Sequence, residues 1–372
     1  MVAILVVINH WFLDDLARWL LAKEQARTGI AITAKAIEGN LFTGHFQASG
    51  ITVRRTDHPA GLIDLTVRKL EGVVAIWRVF ADPVVVDFVT VDGVRGRYER
   101  GVPGQTPIKK PLRIAGVTLE QHDARTSLTL DQGRHAQRQF VITSLTVTDL
   151  DVAYADHTRK RPLALPVTIA RLTANPLRSQ WAVFDVLFRA NATGTIAGRP
   201  LTISTSGDDL GRDTQWTVDG LPIEVLADQI GGPFALLSAG TADIHVTDHW
   251  RRSDDERVIV MDWQVVLTHV TAEVPETTSK LMSLLAEPAV AFINAKGERV
   301  PLSFRVEIDE DRFDGAASAE AAGLWQVVSD SAAATLGKML GIKTDAVKEV
   351  GGTVLDAAKE ALEKWRKKKK KD

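Results

Sequence analysis

Three histidines are the residues of this chain whose types and spacing come nearest to a metal site. His245 and His249 lie four residues apart in the segment DIHVTDHW, and His269 follows on the next predicted strand. Zinc requires three or four converging ligands with supporting hydrogen bonds, and a pair on one strand face does not supply them. Hydrogen-bonded or exposed histidines at strand ends are therefore the favoured interpretation, and we expect no metal.

The acidic clusters could bind a metal ion, act in acid–base catalysis, or simply be surface charges. The segments SDDE (253–256) and EIDEDRFD (307–314) could bind Ca²⁺ or Mg²⁺, but neither has the spacing of an EF-hand loop. Asp149 and Asp151, two residues apart on a strand, could act as acid and base, although surface charges are the simpler interpretation. The chain has no GxSxG, Walker A or HExxH motif and no GxGxxG after a strand. We therefore expect neither an enzyme nor a cofactor.

Composition further narrows the functional classes to which the protein could belong. The 372 residues carry a net charge of −2 and include no cysteine, which excludes disulfides, thiol nucleophiles and Cys-ligated metal sites. A run of positive charge lies at the C-terminus, where Arg366 precedes Lys367, Lys368, Lys369, Lys370 and Lys371. This tail fits contact with anionic lipid, phosphate neutralisation on a nucleic acid, or a disordered solubilising tail. The amphipathic stripe that ends at Trp365 favours the membrane, and the lack of another basic surface disfavours nucleic acid.

The N-terminal segment MVAILVVINHWFL is apolar but short. Asn9 and His10 interrupt it, and it ends before Asp14, whereas a transmembrane helix needs about 20 apolar residues. It is the distal half of a signal anchor that begins upstream, an interfacial helix, or the buried first helix of a soluble domain. Trp11 and Trp19 are suited to a membrane interface, so we favour a membrane-proximal helix over residues 1–28.

From residue 30 to about 263 the dominant period is two, which predicts a long series of antiparallel strands. The pattern slips by one residue at Thr148-Asp149, as it does at a β-bulge. Residues 181–198 are predicted as strand, and 221–240 as a short helix with a Gly-Gly-Pro stop. So many strands must bury an apolar face, in a closed sandwich or barrel or in an open sheet curled into a trough.

The C-terminal part changes character. We predict a helix over 277–294 ended near Pro288, a hairpin or strand pair over 298–315, and amphipathic helices over 321–341 and 344–365. The predicted organisation is a membrane-proximal helix (1–28), a β body (29–275), a helix with a closing hairpin (276–320), amphipathic helices (321–366) and a polybasic tail (367–372).

Alternation alone suggests which side chains line the inner face of such a trough. They are Val84, Val86, Phe88, Leu145, Val147, Val152, Val183, Phe188, Ile244, Val246, Val265 and Leu267.

A helix followed at once by GIAITAKAIEGNLFTGHFQASGITVRR resembles the start of AsmA-like envelope proteins. The matching positions are Gly29, Ile32, Ile37, Gly39, Leu41, Gly44, Gly50, Ile51 and Val53. The segments FVITSLTVTDLDVAYAD and GERVPLSFRVEIDEDRFDG also resemble repeats of that family. The motifs are loose, and the chain is short for the members of the family that bridge two membranes.

The resemblance implies an elongated, curled, taco-like β-groove that handles phospholipid. It also implies a bacterial inner-membrane location, with one N-terminal anchor and the body in the periplasm. We therefore expect a membrane-anchored protein that shields acyl chains for lipid transport or membrane homeostasis. A structural or assembly scaffold of the envelope that binds protein partners or itself is the alternative, and a hydrolytic β enzyme is a third possibility.

Overall fold

The computed structural model describes residues 29–40, 42–55, 61–74, 82–101, 113–114, 117–118, 139–157, 163–208, 211–252, 257–274, 280–296, 298–316 and 322–340, with Ala22 and Gln25 as isolated helical residues. Apart from those two residues, three predicted elements lie outside these ranges: the N-terminal anchor, the 344–365 helix and the polybasic tail. The predicted membrane-contact residues Trp11, Trp19, Trp365 and 366–371 lie outside them as well. No helix among the described residues is long and apolar enough to cross a membrane.

The described chain is mainly β, as predicted, and its large sheet has 14 strands. The strands are β1 Ala31–Thr33, β2 Ala36–Asn40, β3 His45–Arg55, β4 Gly61–Val74, β5 Val84–Arg100, β6 Arg113–Ile114, β7 Val117–Thr118, β8 Phe140–Asp156, β9 Leu163–Ala174, β10 Leu177–Arg178, β11 Ala190–Ile196, β12 Arg199–Gly207, β13 Gly211–Pro222, β14 Leu237–Arg252, β15 Arg257–Ala272 and β16 Arg299–Asp309. The helices are α1 Ala182–Phe188, α2 Ile223–Gln229, α3 Lys280–Ala295 and α4 Leu324–Met339, and short 3₁₀ turns cover Ser179–Trp181, Gly232–Leu236 and Glu310–Phe313.

The chain divides into two compact units. Unit 1 comprises residues 1–108, 129–206 and 313–317, and unit 2 comprises 109–128, 207–312 and 318–372. In unit 1 the strand order is β1-β3-β4-β5-β8-β9-β11-β12, with β2 beside β3 and β10 beside β8. In unit 2 the order is β13-β14-β15-β16, while β6 and β7 form a separate pair.

The sheet is mixed, not antiparallel throughout as the sequence suggested. β5 and β8 run parallel, from the pair Val84–Phe140 to the pair Arg100–Asp156. Parallel neighbours need a crossover connection of about a dozen residues or more, and residues 101–139 supply that length. Every other pair in unit 1 is antiparallel among the strands whose register is described.

Three of the predicted elements differ in the structure. Residues 182–188 form α1, not strand, because Phe184 and Phe188 are buried together on one side of a helical turn, 1% and 2% exposed. Pro288 lies inside α3 instead of ending it, since Ala286 and Ala289 beside it are fully buried and packing outweighs the lost backbone hydrogen bond. The predicted hairpin over 298–315 is the single strand β16 and a 3₁₀ turn.

Other predictions are confirmed. α2 ends before Gly231 and Gly232, whose φ values of 70° and 56° stop the helix. α4 occupies most of the predicted 321–341 helix, and the slip predicted at Asp149 coincides with a φ of 54° there.

Unit 2 packs its helices on one face of its strands. β16 alternates strictly between exposed and buried residues, and α4 packs on β16 while α3 packs on β15. Val265 and Leu267 are 1% exposed, and Val300 and Val306 are fully buried. The apolar space beneath α3 and α4, lined by residues such as Phe234, Leu302 and Leu336, is a core filled by this unit's own helices.

Candidate functional site

Unit 1 presents one sheet face made of apolar side chains, which we call the apolar face. Directly paired residues share a face of a sheet, and four successive cross-strand rows contain only hydrophobic residues and glycine from β3 to β11, although Arg199 of β12 lies opposite Ile196 at the end of the last row. The rows are Phe46-Gly72-Val89-Leu145-Ala174-Ala190, Ala48-Leu70-Val91-Val147-Leu172-Ala192-Ile203, Ile51-Val67-Val94-Leu150-Ile169-Gly194-Leu201 and Ile32-Val53-Leu65-Gly96-Val152-Val167-Ile196.

The rows between them are polar and belong to the opposite face. Glu71, Thr90, Thr146 and Thr173 form one such row. Further rows are Ser49-Lys69-Asp92-Thr148-Arg171-Thr193 and Thr52-Thr66-Arg95-Asp151-Thr168-Thr195. This separation of apolar from Thr-, Asp- and Arg-rich faces agrees with the sequence pattern.

One skipped position in each of five neighbouring strands keeps the apolar rows on one side of the sheet. The paired register passes over Gly50, Arg68, Gly93, Asp149 and Ala170, which all lie between the same two paired rows. Gly50, Gly93 and Asp149 have φ values of 58°, 68° and 54°. Each of these strands has one extra, unpaired residue here. Apolar residues an odd number of positions apart, such as Val91 and Val94, therefore share a face.

Ion pairs on the polar face establish this phase change. The Arg68 guanidinium lies 2.7 Å from Asp92 and 3.3 Å from Asp149, and Arg95 also pairs with Asp149. Asp92 and Arg95 therefore share a face although they are three positions apart in the sequence. The hydrogen bond from Thr148 (2.8 Å) and the one from Arg68 hold the pKa of Asp92 below its ordinary value.

α1 lies beside β10 and β11 in unit 1. Its Asp185 is fully buried, accepts the backbone N–H of Arg178 at 2.7 Å, and lies 2.6 Å from the Arg178 guanidinium and 3.7 Å from that of Arg189. Phe184 and Phe188 pack on Phe313, with ring centroids 6.0 and 5.4 Å apart. These contacts hold α1 against the neighbouring strands.

The two units differ in how far their apolar faces are covered. Leu70, Val89, Val91, Leu145 and Val147 in unit 1 are all half-buried, whereas their counterparts in unit 2 lie under α2, α3 and α4. Within unit 1, α1 is the one helix whose bounds the structure describes. Part of this face is buried, including Val94, Ile169 and Ala174, but the half-buried side chains above are not fully covered by the described elements of unit 1, and the face is therefore the candidate site.

The structure distributes the twelve predicted lining residues over several places. Leu145, Val147 and Val152 lie on the apolar face, whereas Phe88 pairs with Ser144 and therefore lies on the opposite face from Leu145. Val84 and Val86 lie beyond a register break at Asp87. Val183 and Phe188 belong to α1. Ile244, Val246, Val265 and Leu267 are in the buried core of unit 2.

Several residues of the apolar face were missed, notably Leu70, Val89, Val91 and Leu150. The segment VVVDFVTVDG has apolar residues in both alternating phases, so its pattern does not select between Phe88 and Val89. The pairing of Val89 with Leu145 decides.

The candidate metal and acid–base residues do not converge. His245 contacts Thr217 at 3.2 Å and His249 contacts Asp213 at 2.8 Å, while His269 lies far along β15 from the partner of either. The described residues contain no group of three His, Asp or Glu side chains placed to hold a metal. In the 307–314 cluster, Glu310 is buried and accepts the Trp250 indole N–H at 2.8 Å; SDDE lies outside the described residues.

Asp248 is the most perturbed ionisable group in the described chain. It stands between Val246 and Trp250 on the buried face of β14 and is 1% exposed. Thr214, directly opposite, is its polar neighbour, but neither carboxyl oxygen is in full hydrogen-bond geometry. Burial, reinforced by the negative charge of Asp213, raises the pKa of Asp248 to about 8 despite the opposing effect of Thr214.

Comparisons with known proteins do not extend this description. The sequence matches no family model and no curated protein.

Proposed function

We propose that this chain is a membrane-anchored, lipid-handling protein that shields phospholipid acyl chains against the apolar face of unit 1. One observation carries the proposal: four apolar rows continue across six or more strands, and many of their large side chains, such as Leu70, Val91 and Val147, are only half-buried, while the corresponding face of unit 2 is covered by its own helices. Hydrocarbon chains need only an apolar, non-directional surface. A site of this kind requires no converging catalytic groups.

The AsmA-like resemblance supports the same proposal from the sequence side. A curled groove, an N-terminal anchor in a bacterial inner membrane and a periplasmic body belong to this proposal. The polybasic C-terminus would add contact with anionic lipid head groups. Phospholipid transport or membrane homeostasis is the corresponding role, and no chemical step is needed.

Lipid mass spectrometry of the full chain purified from membranes tests the proposal. The wild-type protein is expected to carry phospholipid in a stoichiometric amount. Leu145→Asp places a charge on the apolar face and should lower the bound lipid severalfold, because a buried unpaired charge excludes hydrocarbon. Thr146→Asp, one residue away on the polar face, is the matched control and should leave bound lipid unchanged.

A wild-type protein without lipid overturns the proposal, as does equal lipid in the two variants. Crosslinking that instead captures one dominant protein partner on a lipid-free chain would favour an envelope scaffold. Unfolding midpoints of the two variants show whether either has lost its fold.

A further inference from the structure

The skipped positions of unit 1 interrupt its sheet along one line. At this level the ladder stops and then resumes in five neighbouring strand pairs, from β3–β4 to β9–β11. We call this line the crease; it passes through Gly50, Arg68, Gly93, Asp149 and Ala170. On the three strands that run in the same direction, its residues Gly50, Gly93 and Asp149 have positive φ. Because such an interruption disrupts the ladder and bends its strand, the crease is the level at which this sheet bends most easily.

Burial beside the crease shows which way the sheet bends. In the apolar row directly beyond it, Ile51, Val94 and Ile169 are each at most 9% exposed. In the row directly before it, Val91 and Val147 are only half-buried. Side chains on the inside of a bend are brought closer together and lose contact with water, and all five residues belong to the apolar face. The sheet of unit 1 therefore bends toward its apolar face along the crease.

Four charged side chains span the crease on the opposite, polar face, which is the outside of the bend. Arg68 and Asp149 lie on the crease itself, Asp92 precedes it, and Arg95 follows it. The Arg68 guanidinium lies 2.7 Å from Asp92 and 3.3 Å from Asp149, and Arg95 pairs with Asp149. The four residues form one chain of alternating charge from one side of the crease to the other. We call this chain the clasp.

The local backbone and the solvent exposure of the clasp suit a contact that can open and close. Arg68 crosses Gly93, where an added Cβ would lie 2.7 Å from the Arg68 Cβ and 3.0 Å from its Nε. The four charged side chains are between 29% and 62% exposed. Exposed ion pairs contribute little to stability and are screened by salt, so the clasp restrains the crease without locking it.

We propose that the crease is a hinge about which unit 1 changes its curl when hydrocarbon enters the apolar face. The clasp joins the two sides of the bend on its outside and stops the lipid-free sheet from curling closed. This inference rests on the proposed function and adds the conformational step that admits the lipid. An apolar face in water is driven to bury itself, and further curling would bury it. Such curling spreads the outer face, which the ion pairs across the crease resist.

The distance between two spin labels, measured by pulsed electron spin resonance, tests the hinge. The chain has no cysteine, so Thr143→Cys and Arg55→Cys give two unique labelling sites in the full chain. By alternation both positions lie on the apolar side, at opposite ends of the strands. Vesicles of phosphatidylethanolamine and phosphatidylglycerol should lengthen the distance by several ångströms as the bend opens.

Asp149→Asn in the labelled chain tests the clasp, because asparagine tolerates positive φ as aspartate does and only the charge is lost. Without lipid, this variant should show a shorter and broader distance distribution than the parent. Asp64→Asn is the matched control: it breaks the Arg54–Asp64 pair (3.1 Å), which lies on the same face away from the crease, and should leave the distribution unchanged. Raising the salt to about 1 M should shorten the distance in the parent, because salt screens exposed pairs, and not in Asp149→Asn; this arm decides if the variant fails to fold.

The outcomes separate the hinge from the proposed function. One lipid-free distance shared by the parent, Asp149→Asn and high salt would overturn the clasp. A distance that stays the same when lipid is bound would overturn the hinge and leave the proposed function standing. If the parent chain binds no lipid, the proposed function fails and the role of the hinge in lipid entry fails with it, whereas a lipid-free shift in Asp149→Asn would still show that the clasp sets the bend.

Discussion

Replacing Asp248 with asparagine should make unit 2 less sensitive to pH. The Asp248 carboxyl is 1% exposed, and its pKa is about 8 against an ordinary value of 3.8. Between these two values the folded chain keeps the proton that the unfolded chain releases. The folded state then binds more protons, so the free energy of unfolding falls as pH rises through this window and levels off above about 8.

The size of the effect follows from the one proton involved. Each pH unit within the window removes about 1.4 kcal/mol, so a rise of two units, from about pH 5 to about pH 7, removes roughly 3 kcal/mol. Asparagine has nearly the same shape as protonated aspartic acid but does not ionise. Asp248→Asn should therefore be the more stable protein at neutral pH, and its stability should lack this slope.

Urea unfolding from about pH 5 to about pH 8.5 measures the slope. Asp309→Asn, at an exposed position at the end of β16, is the matched control and should keep the wild-type pH dependence. Parallel curves for wild type and Asp248→Asn would show that the buried carboxyl is ionised in the folded protein, and would refute the reasoning from burial.

Two further pairs of substitutions test the packing. Gly96→Ala should destabilise the protein by about 3 kcal/mol or more, because φ is 141° and the added Cβ would lie 2.1 Å from the Asp64 carbonyl oxygen. Its control is Gly198→Ala, where φ is 72° and no atom lies within 4 Å of the added Cβ; this change should cost only about 1 kcal/mol. Urea midpoints that rank the pair the other way would contradict the described strand contact. Val306→Ala in the core of unit 2 should cost about 2–3 kcal/mol, whereas Val147→Ala on the half-buried apolar face should cost less than about 1 kcal/mol. Equal losses of unfolding free energy would show that the apolar face is already packed in the free protein.

The sequence predicts the strands well because each short segment carries its own alternation. The segment around Asp149 even reveals the phase change, since the apolar positions move from Leu145 and Val147 to Leu150 and Val152. The strict pattern of β16 follows from one face being buried and the other exposed. Local pattern and burial agree in these strands.

Pairing, by contrast, depends on contacts between distant segments. Nothing within VVVDFVTVDG indicates that β5 runs parallel to β8, or that Val89 and not Phe88 faces Leu145. The strand predicted at 182–188 becomes α1 because Asp185 is held by Arg178 and the phenylalanines meet Phe313. Of the twelve lining residues predicted from alternation, only Leu145, Val147 and Val152 therefore lie on the apolar face, and the rest of the face follows from the register.

Photo-crosslinking on either side of one strand tests the central claim most directly. A photo-crosslinking amino acid in place of Val147 faces the apolar side of β8, and one in place of Thr146 faces the polar side. With the full chain in phospholipid membranes, the account predicts lipid adducts from position 147 and few or none from position 146. Equal labelling from the two positions, or labelling of protein alone at position 147, would contradict a lipid-binding apolar face.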